Sequence, residues 1–480
     1  SCMYMLNAIT PDKRDEFYYE GTMTGNATYE KLDYDMDQDG KFDQPPVPGK
    51  NLTLSIDVEL QALGERLMTG KKGGIVAIEP STGEILCMVS SPTYDPRMMV
   101  GRQRGANNNL LSRDPHKPLL NRAIMGQYPP GSTFKTAQAL TFLQEGIVTP
   151  QTLFPCSMGF RFKGLTVGCH AHAAPIPLVP SLATSCNSYY CWGLFQMFSN
   201  RKKYSTVQDA MTRWKDYMVS MGFGYALGVD LPGEKRGMIP NAPYYDKAYR
   251  GSWNGLTVIS ISIGQGEVNA TPLQIANLGA TIANRGWFIT PHVVKDIQDE
   301  ELDSLYTTRR YTMSDPSNYE YVVEGMRQAV LAGTCRGANS PLYEVCGKTG
   351  TAQNPHGQDH SAFMGFAPMN NPRIAICVYV ENGIWGATFG VPIGALMMEQ
   401  YLTGGLSPES EEKAKTFEES MQRLEEIVRL LEENKLPLDE SIALFEEGLQ
   451  LSKDCDTKLK DFYKKVEDIT KKNEGEADEL

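Results

Sequence analysis

Three short patterns carry side chains able to do acyl-transfer chemistry. Ser132-Thr133-Phe134-Lys135 follows a Pro-Pro-Gly turn in "GQYPPGSTFK"; "TSCNSYY" supplies Ser185 and Asn187; "CGKTGTAQ" supplies Lys348, Thr349, Gly350 and Thr351. A serine hydroxyl is a weak nucleophile until a neighbouring base takes its proton. At i and i+3 on a helix, Ser132 and Lys135 share a face. A lysine at its ordinary pKa of about 10.4 is protonated and cannot act as that base. Desolvation and a second nearby cation lower it. The chemistry therefore demands another positive group on a facing element, with polar side chains to relay protons. Lys348 suits the first need, and Ser185 and Asn187 the second. The Thr349 hydroxyl suits a substrate carboxylate, and Gly350 lets a substrate backbone lie against a strand edge.

Each pattern is cheap by itself. S-x-x-K recurs at Ser199/Lys202 and Ser410/Lys413, and S-x-N recurs at Ser252-Trp253-Asn254. Ser132 would also serve as a helix N-cap, accepting an orphan backbone N–H. K-T-G occurs once, and it is the ordered trio that carries the signal.

These residues need elements to hold them. "NLTLSIDVELQALGERLM" reads as a strand and then an amphipathic helix, and "GGIVAIEPSTGEILCMVSSP" as two strands joined by a Pro-Ser-Thr-Gly turn. Helical stretches are predicted over 132–146, 181–198 and 207–221. Strands return in "YEVCGKTGTAQ", "SAFMGFAP" and "RIAICVYVENG". Strand pairs at both ends with helices between predict an α+β domain, its central antiparallel sheet completed by the two ends of the chain and flanked by helices.

A chain of 480 residues can hold two or three domains. The net charge of −12 is uneven: residues 416–480 carry 19 acidic and 10 basic side chains, leaving only −3 for residues 1–415. Neither part has the basic stripe of a protein that grips nucleic acid unaided, and no direct nucleic-acid binding is expected. The longest apolar run, "IAICVYV", is far short of the ~18 residues that cross a bilayer. The chain starts at Ser1, so the N-terminus is read as cut, with a removed signal or anchor left open. In "DYDMDQDGKFD", Asp35, Asp37 and Asp39 before Gly40 imitate a calcium loop, but Pro46 stands where the bidentate Glu belongs. A solvated acidic turn is the reading there.

Taken in order, S-x-x-K, S-x-N and K-T-G resemble the penicillin-interacting serine enzymes. The flanking "LTLSIDVELQ", "IVAIEPSTGEILCMVSSPTYDP", "NRAIMGQYPPGSTFK", "IGQGEVNATPLQIAN" and "GKTGTAQNPHGQDHSAFMGFAP" are similar to the elongation-type class B penicillin-binding proteins. The resemblance implies a serine β-lactamase-like penicillin-binding transpeptidase domain over 51–408, after a pedestal remnant over 1–50. It implies a peptidoglycan D,D-transpeptidase that cross-links stem peptides of lipid II-derived glycan strands and is acylated by β-lactams. Ser132 would be the nucleophile and Lys135 its base, with Ser185 and Asn187 relaying protons and orienting the substrate. Lys348 and Thr349 would bind the terminal carboxylate, and the N–H groups of Ser132 and Thr351 would form the oxyanion hole. A glycosyltransferase partner and a place at the periplasmic face of the inner membrane are implied likewise. A serine β-lactamase or β-lactam sensor on the same fold stays open.

No cofactor is required for this catalysis. "PCSMGFRFKGLTVGCHAH" nevertheless sets Cys156, Cys169, His170 and His172 close together, a reasonable tetrahedral zinc set. Some elongation-type relatives carry such a zinc beside the active site. A Cys156–Cys169 disulfide, or free thiols, is the alternative, and the same choice stands for Cys335 and Cys346.

Past a junction at 409–415 the texture changes. Thr416 and Glu419 form a capping box, and Phe417, Met421, Leu424, Val428 and Leu431 recur at 4-3-4-3 spacing. After Pro437 a second apolar stripe begins with Ile442, Phe445 and Leu449 and continues, slipped in register, to Ile469. An α-helical hairpin with a coiled-coil-like seam is predicted over 416–480. It resembles the exodeoxyribonuclease VII small subunit, a non-catalytic helical partner of a large nuclease subunit. That resemblance implies a cytoplasmic DNA-enzyme context at odds with an envelope transpeptidase, so this segment is expected to add nothing to acylation.

Overall fold

The computed structural model describes residues 49–354, 357–383 and 385–415, with residues 423, 426 and 427. The acidic Asp35–Asp39 turn and the predicted helical hairpin with its capping box lie outside these residues. Among the described residues no helix is long and apolar enough to cross a membrane.

The chain divides into two compact units. In the smaller, strand Leu52–Leu54 pairs antiparallel with Val294–Ile297, Lys50 forms an ion pair with Glu300, and a helix spans Arg104–Arg113.

The larger unit contains the three motifs. Its first helix, α1 (Val58–Leu67), starts where the Asp57 carboxylate accepts the Leu60 N–H at 2.9 Å. It buries Leu60, Leu63, Gly64 and Leu67, the i, i+3, i+4, i+7 stripe of an amphipathic helix. The predicted hairpin follows as β1 (Gly73–Ile78) and β2 (Ile85–Ser91), with Gly83 of its turn at φ +78°. Late in the chain come β3 (Cys346–Ala352), β4 (His360–Ala367) and β5 (Ile374–Val380). The five strands form one antiparallel sheet in the order β2-β1-β5-β4-β3. The two ends of the unit thus complete one sheet, as expected, and the K-T-G strand β3 is its edge.

Between the strand pairs run α2 (Lys135–Gln144), α3 (Leu178–Ala183), α4 (Asn187–Ser199), α5 (Pro272–Ala283) and α6 (Pro316–Leu331); α7 (Gly390–Thr403) follows β5. The predicted 181–198 helix is in fact two, broken at 184–186. Helix α5 opens with a Thr271/Gln274 capping box and is buried on every side. Its Gly279 lets it approach the sheet, a β-carbon there lying 3.3 Å from Met364 Cγ and 3.7 Å from Ala375 Cβ. Helices α1, α6 and α7 share another core with the sheet, through Leu63, Val330, Phe363, Ile376, Val378 and Met397.

Phe363 lies in that core, and its ring fills space that three glycines leave. β-Carbons at Gly347, Gly365 and Gly394 would stand 2.4–2.8 Å from its ring atoms. Phe363 also pairs in register with Thr349 of the K-T-G strand. Phe363→Ala is expected to cost about 3–5 kcal/mol through lost burial and an unfilled cavity. Urea unfolding should show this as a lower midpoint with little change in slope.

Candidate active site

Ser132 lies in a 3-10 turn, Gly131–Phe134, that runs directly into α2. Gly131 is at φ +55°, and a β-carbon on it would meet Thr351 O at 2.8 Å. One at Gly350 would stand 3.1 Å from Pro130 O. The serine turn and the open edge of β3 are therefore in contact, and both glycines are there for that closeness. The turn is anchored from behind. Tyr379 of β5 donates to Pro129 O at 3.1 Å, while Tyr128 stacks on Tyr379 and donates to Glu381 at 2.7 Å. Arg122 pairs with the same Glu381 at 3.1 Å.

Lys135 and Lys348 are both fully buried, and both donate to one hydroxyl, Ser185 Oγ, at 3.2 and 2.8 Å. Lys135 also donates to Ser185 O at 2.7 Å and Asn187 Oδ1 at 2.6 Å. Burial pulls Lys135 down to about 8. Burial, and then the charge of Lys135, pull Lys348 down to about 7. Desolvation thus lowers both lysines, while the charge of the second cation acts on Lys348. Ser185 adopts a left-handed φ of 58° between α3 and α4, a strained conformation for a non-glycine residue. That break in the helical stretch delivers its hydroxyl between the lysines. Thr349 Oγ1 donates to Thr334 Oγ1 at 2.7 Å.

All eight residues of the three motifs are gathered here, and the repeats are elsewhere engaged. Ser410, for example, donates to Glu399 at 2.6 Å, and Lys413 pairs with Glu409. Sequence reasoning overlooked Gln265, whose side chain donates to Thr351 O at 3.2 Å, and Gly264, whose carbonyl accepts the Gly131 N–H at 3.0 Å. Both lie in "IGQGEVN", whose Gly264 and Gly266, at φ +69° and +71°, form a tight loop.

Beside the S-x-N motif, Cys156, Cys169, His172 and Cys186 bring their ligand atoms within 4.8 Å of one another. This revises the expected set. Cys186, the middle residue of S-x-N, joins Cys156, Cys169 and His172, while His170 hydrogen-bonds the Cys169 thiol from beside these four. Cys186 faces the group from the start of α4. His172 Nδ1 lies 2.6 Å from Ala173 O and Nε2 3.4 Å from Cys169 Sγ. Nδ1–H bonded to the carbonyl leaves Nε2 free to ligate. Backbone N–H groups of Asn187 and Tyr189 donate to the Cys169 and Cys186 sulfurs at 3.3 and 3.4 Å. Three thiols and one imidazole at this spacing fit tetrahedral zinc. Cys156 and Cys169 are not disulfide-bonded to each other, nor are Cys335 and Cys346; all four are free cysteines.

The family described as penicillin binding protein transpeptidase domain matches residues 73–398, and the one described as exonuclease VII small subunit matches residues 417–468. The peptidoglycan D,D-transpeptidase MrdA of Acinetobacter baumannii is 33% identical over 77% of this chain and 57% of its own length. The chain spans 57–63% of the length of such curated relatives. The crystal structure of Pseudomonas aeruginosa PBP2 in complex with WCK 5153 superposes with a TM-score of 0.67 at 34% identity, covering 77% of this chain and 80% of that one. A structure reported for the coordination of polymerization and crosslinking by a peptidoglycan synthase complex has a TM-score of 0.66 at 31% identity, covering 76% and 65%.

Proposed function

The chain belongs to the penicillin-binding protein transpeptidase family, and from that premise we propose that it is a peptidoglycan D,D-transpeptidase acting through a serine acyl-enzyme. The observation that carries this reading is the Ser185 hydroxyl held between two buried lysines, beside the serine turn and the open edge of β3. Neutral Lys135 takes the Ser132 proton as Oγ bonds to the carbonyl carbon of a D-Ala-D-Ala stem. The N–H groups of Ser132 and Thr351 hold the oxyanion. The C–N bond to the terminal D-Ala breaks, and that amine receives its proton through Ser185 and the lysines. An amine from a neighbouring stem then attacks the acyl-enzyme, gives up its proton, and returns Ser132 to its hydroxyl form. Lys348 and Thr349 take the terminal carboxylate. A β-lactam that enters as the donor stays on Ser132.

The test is intact mass over time after mixing with benzylpenicillin. A lasting one-drug adduct is expected. An adduct that clears within seconds, with drug hydrolysed, would make the chain a β-lactamase instead.

A glycosyltransferase partner and work at the periplasmic face of the membrane are part of the same proposal; the former is in keeping with the peptidoglycan synthase complex above, in which polymerization and crosslinking are coordinated. So is a structural zinc on Cys156, Cys169, His172 and Cys186, which would rigidify the S-x-N loop without taking part in acyl transfer. Elemental analysis of protein purified without chelator should find one zinc per chain. Cys186→Ser should lose it and His170→Ala should keep it; zinc-free wild-type protein would overturn the assignment.

The segment matching the exonuclease VII small subunit would pair with a large nuclease subunit. Deleting residues 416–480 is expected to leave the rate of adduct formation within about twofold, since all three motifs lie between Ser132 and Thr351.

A further inference from the structure

The K-T-G threonine has a partner outside all three motifs. Thr334, just past the end of α6, accepts the Thr349 hydroxyl proton at 2.7 Å. The Thr334 backbone N–H donates to Ala183 O at 3.3 Å, two residues before Ser185. Gly333 makes this approach possible, because a β-carbon there would lie 2.2 Å from the same carbonyl oxygen. Thr334 therefore ties the S-x-N loop to the K-T-G strand, through its main chain on one side and its hydroxyl on the other. Its other hydroxyl neighbour is Cys335 Sγ at 3.9 Å, a long contact to a weak partner.

A hydroxyl has one proton to give. When Thr349 turns its proton to a bound carboxylate, its oxygen loses the contact in which it was the donor. The Thr334 proton, 2.7 Å away, is then placed to take the reverse role. A hydroxyl that accepts a hydrogen bond while donating one is polarised and donates more strongly.

We propose that Thr334 is a positioning residue for carboxylate recognition, its hydroxyl reversing from acceptor to donor toward Thr349 Oγ1 when a substrate carboxylate binds. This rests on the transpeptidase reading above. It deepens that reading by making the carboxylate subsite a pair of coupled hydroxyls drawn from two distant segments.

The test compares second-order acylation rates for benzylpenicillin and for its methyl ester, which lacks the charge. Thr334→Val is expected to slow benzylpenicillin about tenfold, the upper end of what one hydrogen bond between neutral groups contributes, and to leave the ester within about twofold. Thr334→Ser, which keeps the hydroxyl, should behave as wild type with both. Thr349→Val should show the same selective loss, and the double variant should be no slower than Thr349→Val alone. Equal slowing of both compounds would mean a structural role, and unchanged rates would mean no role; either overturns the inference. If wild-type protein takes no adduct from either compound, the transpeptidase reading itself falls, and this inference with it.

Discussion

Ser132→Ala is expected to abolish the covalent β-lactam adduct, lowering acylation by about 10⁴-fold or more, to below detection by intact mass. The side chain is partly exposed in its turn, and among the described residues its hydroxyl makes no hydrogen bond. Removing it takes away the atom that bonds to the carbonyl carbon while leaving every anchor of the turn in place. Those anchors are Tyr379 to Pro129 O, Gly131 N–H to Gly264 O, and Thr133 Oγ1 to Pro130 O at 2.7 Å. Melting temperature should therefore move by no more than a degree or two. An adduct on the folded alanine variant would place the nucleophile elsewhere. Non-covalent drug binding should survive, because Thr349 and the open edge of β3 are untouched.

Loss of the base gives the second large effect. Lys135→Met keeps most of the buried volume and removes the ammonium, and acylation should fall by about 10²–10⁴-fold, the usual worth of a positioned general base. The wild-type pH dependence follows from the same group. Lys135 acts only when neutral, and burial brings it down to about 8. At pH 7 roughly 10% of it is then neutral, against about 0.03% for a lysine at its ordinary value. The acylation rate should accordingly rise nearly tenfold per unit below pH 7, pass through a maximum between about 7 and 8, and fall at higher pH as Lys348 loses its charge. Lys348 works in the opposite sense. It must be charged to meet a carboxylate, and at about 7 it loses that charge in the free protein just as Lys135 becomes competent. Because both lysines bond to Ser185 Oγ, the two titrate as a pair. The productive form has the proton on Lys348 and none on Lys135. Stopped-flow acylation from pH 5.5 to 9 checks the rising limb. A flat profile in wild type would remove Lys135 from the role of base, and retention of the rise in Lys135→Met would assign it to another group.

Much of this protein was determined by short-range pattern. The i, i+3 spacing of Ser132 and Lys135 puts two side chains on one face in any helical turn, wherever that turn sits in the fold. Alternation and β-branched runs marked the strands around Ile75, Lys348 and Ile376, and a Gly at the end of a Pro-Ser-Thr-Gly turn marked the hairpin. Such signals are local, because main-chain geometry imposes them within a few residues. What the tertiary structure decided lies between segments far apart in the chain. It placed β3 at the sheet edge, so that its free side meets the serine turn. It bent Ser185 into a left-handed conformation that no helical pattern announces, because only the two buried lysines give its hydroxyl that position a reason. It brought Cys186 beside Cys156, Cys169 and His172, because three segments of the chain converge there. It also brought in Gln265 and Thr334, whose hydrogen bonds span 86 and 15 residues. Spacing along the chain fixes which groups can share a helix face or strand. Which groups converge from separate elements is fixed by how the core packs, and no local rule contains that information.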